Sequence, residues 1–476
     1  MQNMKKTICI LAMAGVLAGC TKFLDVNPKG EVFDADMFES AEGYEDALYG
    51  VYSEIANEEF LYKGYLLWIP EALSRNEGIS DYMLKPMAEG SWYYTNMSTK
   101  EKVWAAAYEA INHVNNIIAH AEKDPEDRFR HSRLYKGEAL ALRALLHFEL
   151  LRLYGAPFWA DASFKQATIP YVRDYAFTVT PFSSWDETFD LILEDLFAAE
   201  TLLAEDENLI PTERTNVGTS FAEARITHLN LYAVQALIAR VYWTRNDLDN
   251  AARYALKVID SHKFGFRPLS SFVQPDNGTL DLNETIFGLY SRDFQTANAT
   301  KYQLRSTSSS GFTLNPDWSV LYNDGSATQG SDLRVNAWFD AGSGTLTKMV
   351  NTAWYAQGSG TYSGDSIIGV SILRIPELYY IVAEYYLQSN TVRAAEYFNA
   401  VTETRNLDPV ANLNRTLLFR ERRKEFYGEG LTWHEMKKLA MDITTDSGTV
   451  LDGGNPNTWT MPISEEEAEG RKNLED

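Results

Sequence analysis

The stretch EALALRALLHFELLRLYGAP, residues 138–157, constrains the fold more than any other part of the chain. Leu142, Leu145, Leu146, Leu150 and Leu153 recur at helical spacing, and Gly155 with Pro157 just beyond ends the run as helix stops usually do. A helix this apolar has to be covered by neighbours. Two candidates flank it. After Ser98-Thr-Lys-Glu101, which has the form of a capping box, Trp104, Tyr108, Ile111, Asn115 and Ile118 fall on one helical face. A second box, Ser184-Trp-Asp-Glu187, opens a helix with Phe189, Ile192, Leu196, Ala199 and Leu203 facing inward. Most of the chain before about residue 265 is therefore expected to be helical.

Further along, Ala239, Tyr242, Asn246 and Ala251 recur at identical spacing as Ala383, Tyr386, Asn390 and Ala395. Each set reads as a helix, a tight polar turn and a second helix, with alanine where the two backbones approach. That is the logic of tetratricopeptide repeats, whose helix pairs bury their faces only by stacking. A plain helical hairpin with alanine at its contact fits the same spacing. Between the two sets, residues 266–366 are broken by runs such as Arg305-Ser-Thr-Ser-Ser-Ser-Gly311 and Gln357-Gly-Ser-Gly-Thr-Tyr-Ser-Gly364, so loops and short strands are expected. Helical periodicity returns at Pro376, suited to a first helical turn, and runs on through Phe426 to Gly428 and Gly430. The expected organisation is a leader over 1–19, a helical half over 20–265, and a second half over 266–476 with its helices at 376–441.

The leader reads as an export signal, because Lys5-Lys6 precedes an apolar run, Ile8 to Leu17, too short to span a bilayer. Leu17-Ala18-Gly19-Cys20 resembles a bacterial lipobox. On that resemblance Cys20 is the lipidation site, and several acyl chains hold the protein to a membrane more firmly than one could. Cys9, the only other cysteine, leaves with the leader, so no intramolecular disulfide is expected. The formal charge of −23, made more negative by loss of Lys5 and Lys6, argues against nucleic acid or an anionic lipid surface as ligand.

Catalytic motifs are missing. Glu421 and Glu425 lie one helical turn apart, but with Arg422, Arg423 and Lys424 between them they read as an ordinary charged helix face rather than a glycosidase pair. His434-Glu435 begins like a zinc-protease helix, yet Lys438 stands where the second histidine would be. No nucleophile elbow or phosphate-cradling loop is present, so no cofactor or metal is expected and the chain does not read as an enzyme.

An ordered set of segments carries a family resemblance. It includes the lipobox with Phe23-Leu24-Asp25 and Pro28, Trp104 to Asn115, and Glu138 to Pro157. Ala236 to Tyr242, Glu284-Thr-Ile-Phe287 and Leu373-Arg-Ile-Pro-Glu-Leu-Tyr379 continue it, and Glu421 to Phe426 with Trp433 and Met461-Pro-Ile463 close it. Together they resemble the SusD/RagB-like outer-membrane nutrient-binding lipoproteins of Bacteroidetes. The pattern departs at Asn399-Ala-Val-Thr-Glu-Thr404, where arginines are usual, and at Lys438. The resemblance implies a mainly α fold of stacked tetratricopeptide-type helix pairs bearing a loop-rich, mixed ligand-binding part. It also implies an outer-membrane lipoprotein facing the exterior, anchored by lipid only, that captures a glycan and delivers it to a SusC-like TonB-dependent transporter. Capture of peptides by the same architecture is the alternative, and a structural adhesin a more distant one.

Sugar capture needs flat apolar rings for pyranose faces and polar groups for hydroxyls. The first group of candidates is Trp68, Arg75, Asn76 and Asp81 with the run Trp92, Tyr93, Tyr94 and Asn96; the second is Tyr290, Trp318, Tyr322 and Trp338, in or beside the loop-rich part. A core or loop-anchoring role is the competing reading for each aromatic. For the anchor, the expected outcome is that a Cys20→Ala variant leaves the membrane fraction on cell fractionation; undiminished retention would contradict lipidation.

Overall fold

The structure, a computed structural model, describes residues 34–76, 78–92, 97–214, 218–291, 294, 297–298, 301–302, 312–313, 318–325, 332–340, 345–351 and 367–472. The leader, Cys20, Tyr93, Tyr94 and Asn96 lie outside the described residues. The principal helices are α1 (Ala41–Asn57), α2 (Tyr65–Ser74), α3 (Met97–Ala121), α4 (Ser132–Tyr154), α5 (Trp185–Leu202), α6 (Leu231–Thr244), α7 (Leu248–Asp260), α8 (Ile375–Tyr386), α9 (Thr391–Thr402), α10 (Arg415–Glu425) and α11 (Thr432–Leu439). From α3 to α9 each packs against the next. The fold is mainly α, a stack of helices, as the apolar periodicity predicts.

Helix α4 sits inside that stack. Its five stripe leucines are buried against α3 and α5. Polar residues of its middle are enclosed as well: Arg143 donates to both carboxylate oxygens of Asp195 at 2.7 Å, and Glu138 pairs with Arg225 and His228. The capping box at the start of α5 forms, since Ser184 Oγ accepts from the Glu187 amide at 3.2 Å and Glu187 Oε2 from the Ser184 amide at 3.3 Å. The first box is different. Helix α3 begins at Met97, which puts Ser98 inside the first turn instead of at the cap.

The two similarly spaced hairpins, α6–α7 and α8–α9, both form, with their four alanines buried. Their asparagines play different parts. Asn246 turns the chain with φ 65° and Asp247 caps α7, whereas Asn390 itself caps α9 by accepting from the Arg393 amide at 3.0 Å.

Helices α7 and α8 touch although the loop-rich segment separates them, so that segment is an excursion from one continuous stack. Short strands in and around it are β1 (Gly78–Ile79), far upstream, β2 (Thr285–Tyr290), β3 (Phe312–Thr313) and β4 (Gly369–Arg374), paired antiparallel as β1 with β3 and β2 with β4. The β2–β4 ribbon closes the excursion and feeds directly into α8.

Charge, not only apolar packing, ties the excursion down. The Glu421-to-Glu425 segment, read from sequence as an ordinary charged helix face, is interior: Glu421, Arg422, Lys424 and Glu425 are 0–3% exposed. Glu425 accepts from Arg374 Nη1 at 2.8 Å, Arg405 Nη2 at 2.8 Å and Arg334 Nη1 at 3.1 Å. Arg374 and Arg405 also share Glu284, just before β2. Burial opposes ionisation of Glu425, but Arg405 and Arg374 outweigh it and hold the carboxyl well below the usual range. Truncating one member strands buried cations, so Glu425→Ala should cost about 3–5 kcal/mol, read as a lower urea midpoint.

Glu138 makes a second prediction. Burial again opposes ionisation, but Arg225 and His228 hold its folded pKa down at about 2. An unfolded glutamate titrates near 4.3, so between these values the unfolded chain binds more protons. The stability contributed by Glu138 should be intact above about pH 4.5 and lost as the pH falls toward 2. Glu138→Gln should flatten that part of the stability–pH curve.

Candidate functional site

Helix α2 and the loop after it hold the first group of candidates. Trp68, on α2, points into the loop-rich part: its Nε1 donates to Asn298 Oδ1 at 2.7 Å, and Lys301 Nζ lies 4.6 Å from the ring centroid. Trp68 meets Tyr65 edge to face at 5.1 Å, and Tyr65 stacks on Phe60 at 5.1 Å. Arg75 ends α2 in the left-handed region, φ 60°, and pairs with Asp446.

Asn76 is enclosed. Its Nδ2 donates to Glu71 Oε1 at 2.8 Å, and its Oδ1 accepts from Arg423 Nε at 2.7 Å. Glu71 in turn accepts from the amides of Gly428 and Gly430, at 3.1 and 3.0 Å. Both glycines have positive φ, 82° and 71°, a conformation that side chains resist. Burial pushes the Glu71 carboxyl up despite these donors. The glycine stop after α10 therefore serves as a clamp on α2.

Asp81 organises the turn beyond β1. Its Oδ1 accepts from the amides of Met83 and Leu84, at 2.8 and 3.0 Å, and its Oδ2 pairs with Lys301. Strand β1 pairs with β3 in the register Gly78 to Thr313 and Ile79 to Phe312. This pairing sets the loop that follows α2 against the loop-rich segment that holds the second group.

In the second group, Tyr322 and Trp338 are buried on either side of Arg334, whose guanidinium carbon lies 5.6 and 5.9 Å from their ring centroids. Tyr322 donates to the Lys424 carbonyl at 2.7 Å and meets Tyr427, whose hydroxyl donates to the Asn76 carbonyl at 3.2 Å. Lys348 Nζ sits 3.9 Å from the Trp338 ring centroid. Trp318 opens a short helix, Trp318–Tyr322. Tyr290, the last residue of β2, is 47% exposed.

Exposure sorts the candidates. Trp68, Asn76, Asp81, Tyr322 and Trp338 are buried, and the contacts above make them supports of the face; Trp92 is buried too, its carbonyl accepting from Lys100 Nζ at 2.7 Å. Tyr290 reaches solvent, whereas the Arg75 side chain is largely enclosed and paired with Asp446. Sequence reading missed Tyr82, 68% exposed beside Asp81, because a lone tyrosine in a loop carries no periodic signal. It also missed Lys301, whose ion pair with Asp81 links residues 220 positions apart. Among the described residues no group of histidine, cysteine or carboxylate side chains is arranged to hold a metal, and no helix is long and apolar enough to cross a membrane.

Residues 22–243 match the SusD-like family described as starch-binding and associating with the outer membrane. Over that stretch, just under half of its length, the chain is similar to the SusD-like family. A SusD-like protein of Formosa agariphila is 26% identical over 268 residues, which cover 55% of this chain and 46% of that protein. The chain thus spans about half the length of that curated relative. A SusD superfamily protein from Bacteroides thetaiotaomicron shares the fold with TM-score 0.72 and 18% identity, over 91% of this chain and 98% of the other. A SusD-like carbohydrate-binding protein from Bacteroides vulgatus matches with TM-score 0.67 and 18% identity, over 91% and 96%.

The Asp81 turn should couple the two groups. In Asp81→Ala, hydrogen exchange should accelerate at residues 78–84 and at 312–313 together, with α4 unchanged. Acceleration confined to 78–84 would contradict that coupling.

Proposed function

We propose that the chain captures an extracellular oligo- or polysaccharide on the face where β1 meets β3, and delivers it to a SusC-like TonB-dependent transporter. The observation that carries this reading is the β1–β3 pairing, which sets the loop after α2 against the loop-rich segment, with Tyr82 exposed close to the junction. Tyr82, Tyr290, Arg75 and Trp318, with Tyr93, Tyr94 and Asn96, are the proposed contacts; buried Trp68, Trp92 and Trp338 shape the face from beneath. Aromatic rings suit sugar C–H faces, and Arg75 and Asn96 suit hydroxyls. The family description and the carbohydrate-binding neighbour from Bacteroides vulgatus favour a glycan.

Binding without chemistry agrees with the fate of the one carboxylate pair considered for catalysis. Glu421 and Glu425 are buried and committed to arginine and lysine partners. On this reading Cys20 holds the protein to the outer face of the outer membrane by lipid, with the helical stack available to the transporter.

The test is to pass residues 21–476 over an array of plant, host and microbial glycans alongside peptides, and to repeat any hit with Tyr82→Ala, Trp92→Ala and Trp318→Ala. Loss of the Tyr82 or Trp318 ring should weaken a glycan about tenfold, some 1.4 kcal/mol, and loss of Trp92 should act through the shape of the face. Binding to peptides alone would replace the glycan reading, and glycan binding indifferent to all three substitutions would move the site elsewhere. Delivery is checked separately, by co-purification of the lipidated protein with a TonB-dependent barrel from outer membranes.

A further inference from the structure

Away from the candidate face, a small cavity of about 30 Å³ lies where the end of α4 meets α5, α6 and α11. Leu151, Pro157, Phe158, Trp185 and Phe189 form its apolar walls. Its ionisable lining is Arg152, His434, Lys437 and Lys438, and no carboxylate is among the lining residues.

The basic groups are unequally answered. Arg152 pairs with Glu149, and Lys438 with Glu384 at 2.8 Å; neither carboxylate lines the cavity. Lys437 has no carboxylate partner among the described residues. Its Nζ donates to the carbonyls of Arg152 at 2.9 Å and Gly155 at 2.6 Å, which leaves its third hydrogen unused. Arg152 Nε and His434 Nδ1 are buried and meet no hydrogen-bond partner among the described residues. Burial of donors without acceptors is costly, and burial of like charge without a counter-charge more so.

We propose that this cavity binds one small monoanion, chloride, held by the side chains of Arg152, His434 and Lys437. Sign and size select the class. The lining offers cationic and N–H groups with no carboxylate among them, and the volume admits a small ion. A water molecule could accept the same hydrogen bonds but would leave the Lys437 ammonium without a counter-charge. That crowding has other signs. Burial and Arg152 push the Lys437 ammonium down to about 7, and burial with Arg152, Lys437 and Arg240 holds the His434 imidazole well below its usual range. A bound anion would tie the end of α4 to α11 through these side chains.

The soluble chain, residues 21–476, should be crystallised in sodium bromide and its anomalous scattering measured, with thermal melts in sodium chloride and sodium gluconate at equal ionic strength. The expected result is a bromide peak in the cavity within hydrogen-bonding reach of Arg152 Nε and His434 Nδ1. The melting temperature should also be higher by about 2 °C in about 100 mM chloride than in gluconate. In Lys437→Gln the chloride-specific part of that difference should disappear. If this variant does not fold, the bromide map of the unaltered chain still decides. A cavity filled with water and without an anomalous peak, or equal melting temperatures in the two salts, would overturn the proposal.

Discussion

Arg334, Arg374 and Arg405 converge on the carboxylate of Glu425, and two of them share Glu284 as well. These residues come from the loop-rich excursion, the end of β4, the end of α9, α10 and the approach to β2. No apolar contact could place these parts with the same directionality, because an arginine fork satisfies two carboxylates only in a narrow set of orientations. Such a cluster is not in itself a large source of stability, since each ion loses its water. Its effect is on geometry. The excursion is held in register with the helical stack, and the candidate face inherits that register.

A second set of buried polar contacts carries the constraint from the stack to the face. Glu71 on α2 receives the amides of Gly428 and Gly430, Asn76 receives Arg423, and Tyr427 reaches the Asn76 carbonyl. The turn after α10 and the loop after α2 are thereby locked together. Beyond them Asp81 meets Lys301, and β1 meets β3. A face built from loops acquires a defined shape in this way, with exposed Tyr82 next to a turn whose amides are already satisfied. Preorganisation of this kind lowers the ordering cost of binding.

The helical scaffold was legible because its signal is local. A stripe at Leu142, Leu145, Leu146, Leu150 and Leu153 demands cover on both sides, and α3 and α5 supply it. The Ser184 box formed for the same local reason, while the Ser98 box did not mark a helix start, since caps depend on where the preceding loop delivers the chain. The candidate site was legible only as two stretches. Composition singled out Trp68 to Asn96 and Tyr290 to Trp338 as aromatic and polar, yet it could not separate exposed rings from buried ones. Trp68, Tyr322 and Trp338 lie inside because Asn298, Lys424, Lys348 and Arg334 come to meet them from distant parts of the chain.

By itself, then, the sequence determined a stack of amphipathic helices interrupted by one loop-rich excursion, since helical period, capping residues and turn chemistry act over a few residues. Tertiary structure decided which charges are interior and which aromatics reach solvent. Glu421 and Glu425 look like any charged helix face until Arg334, Arg374 and Arg405 are placed beside them, and Tyr82 looks like any tyrosine until β1 and β3 pair. Burial is a property of what arrives from elsewhere in the chain, and no local pattern encodes those arrivals.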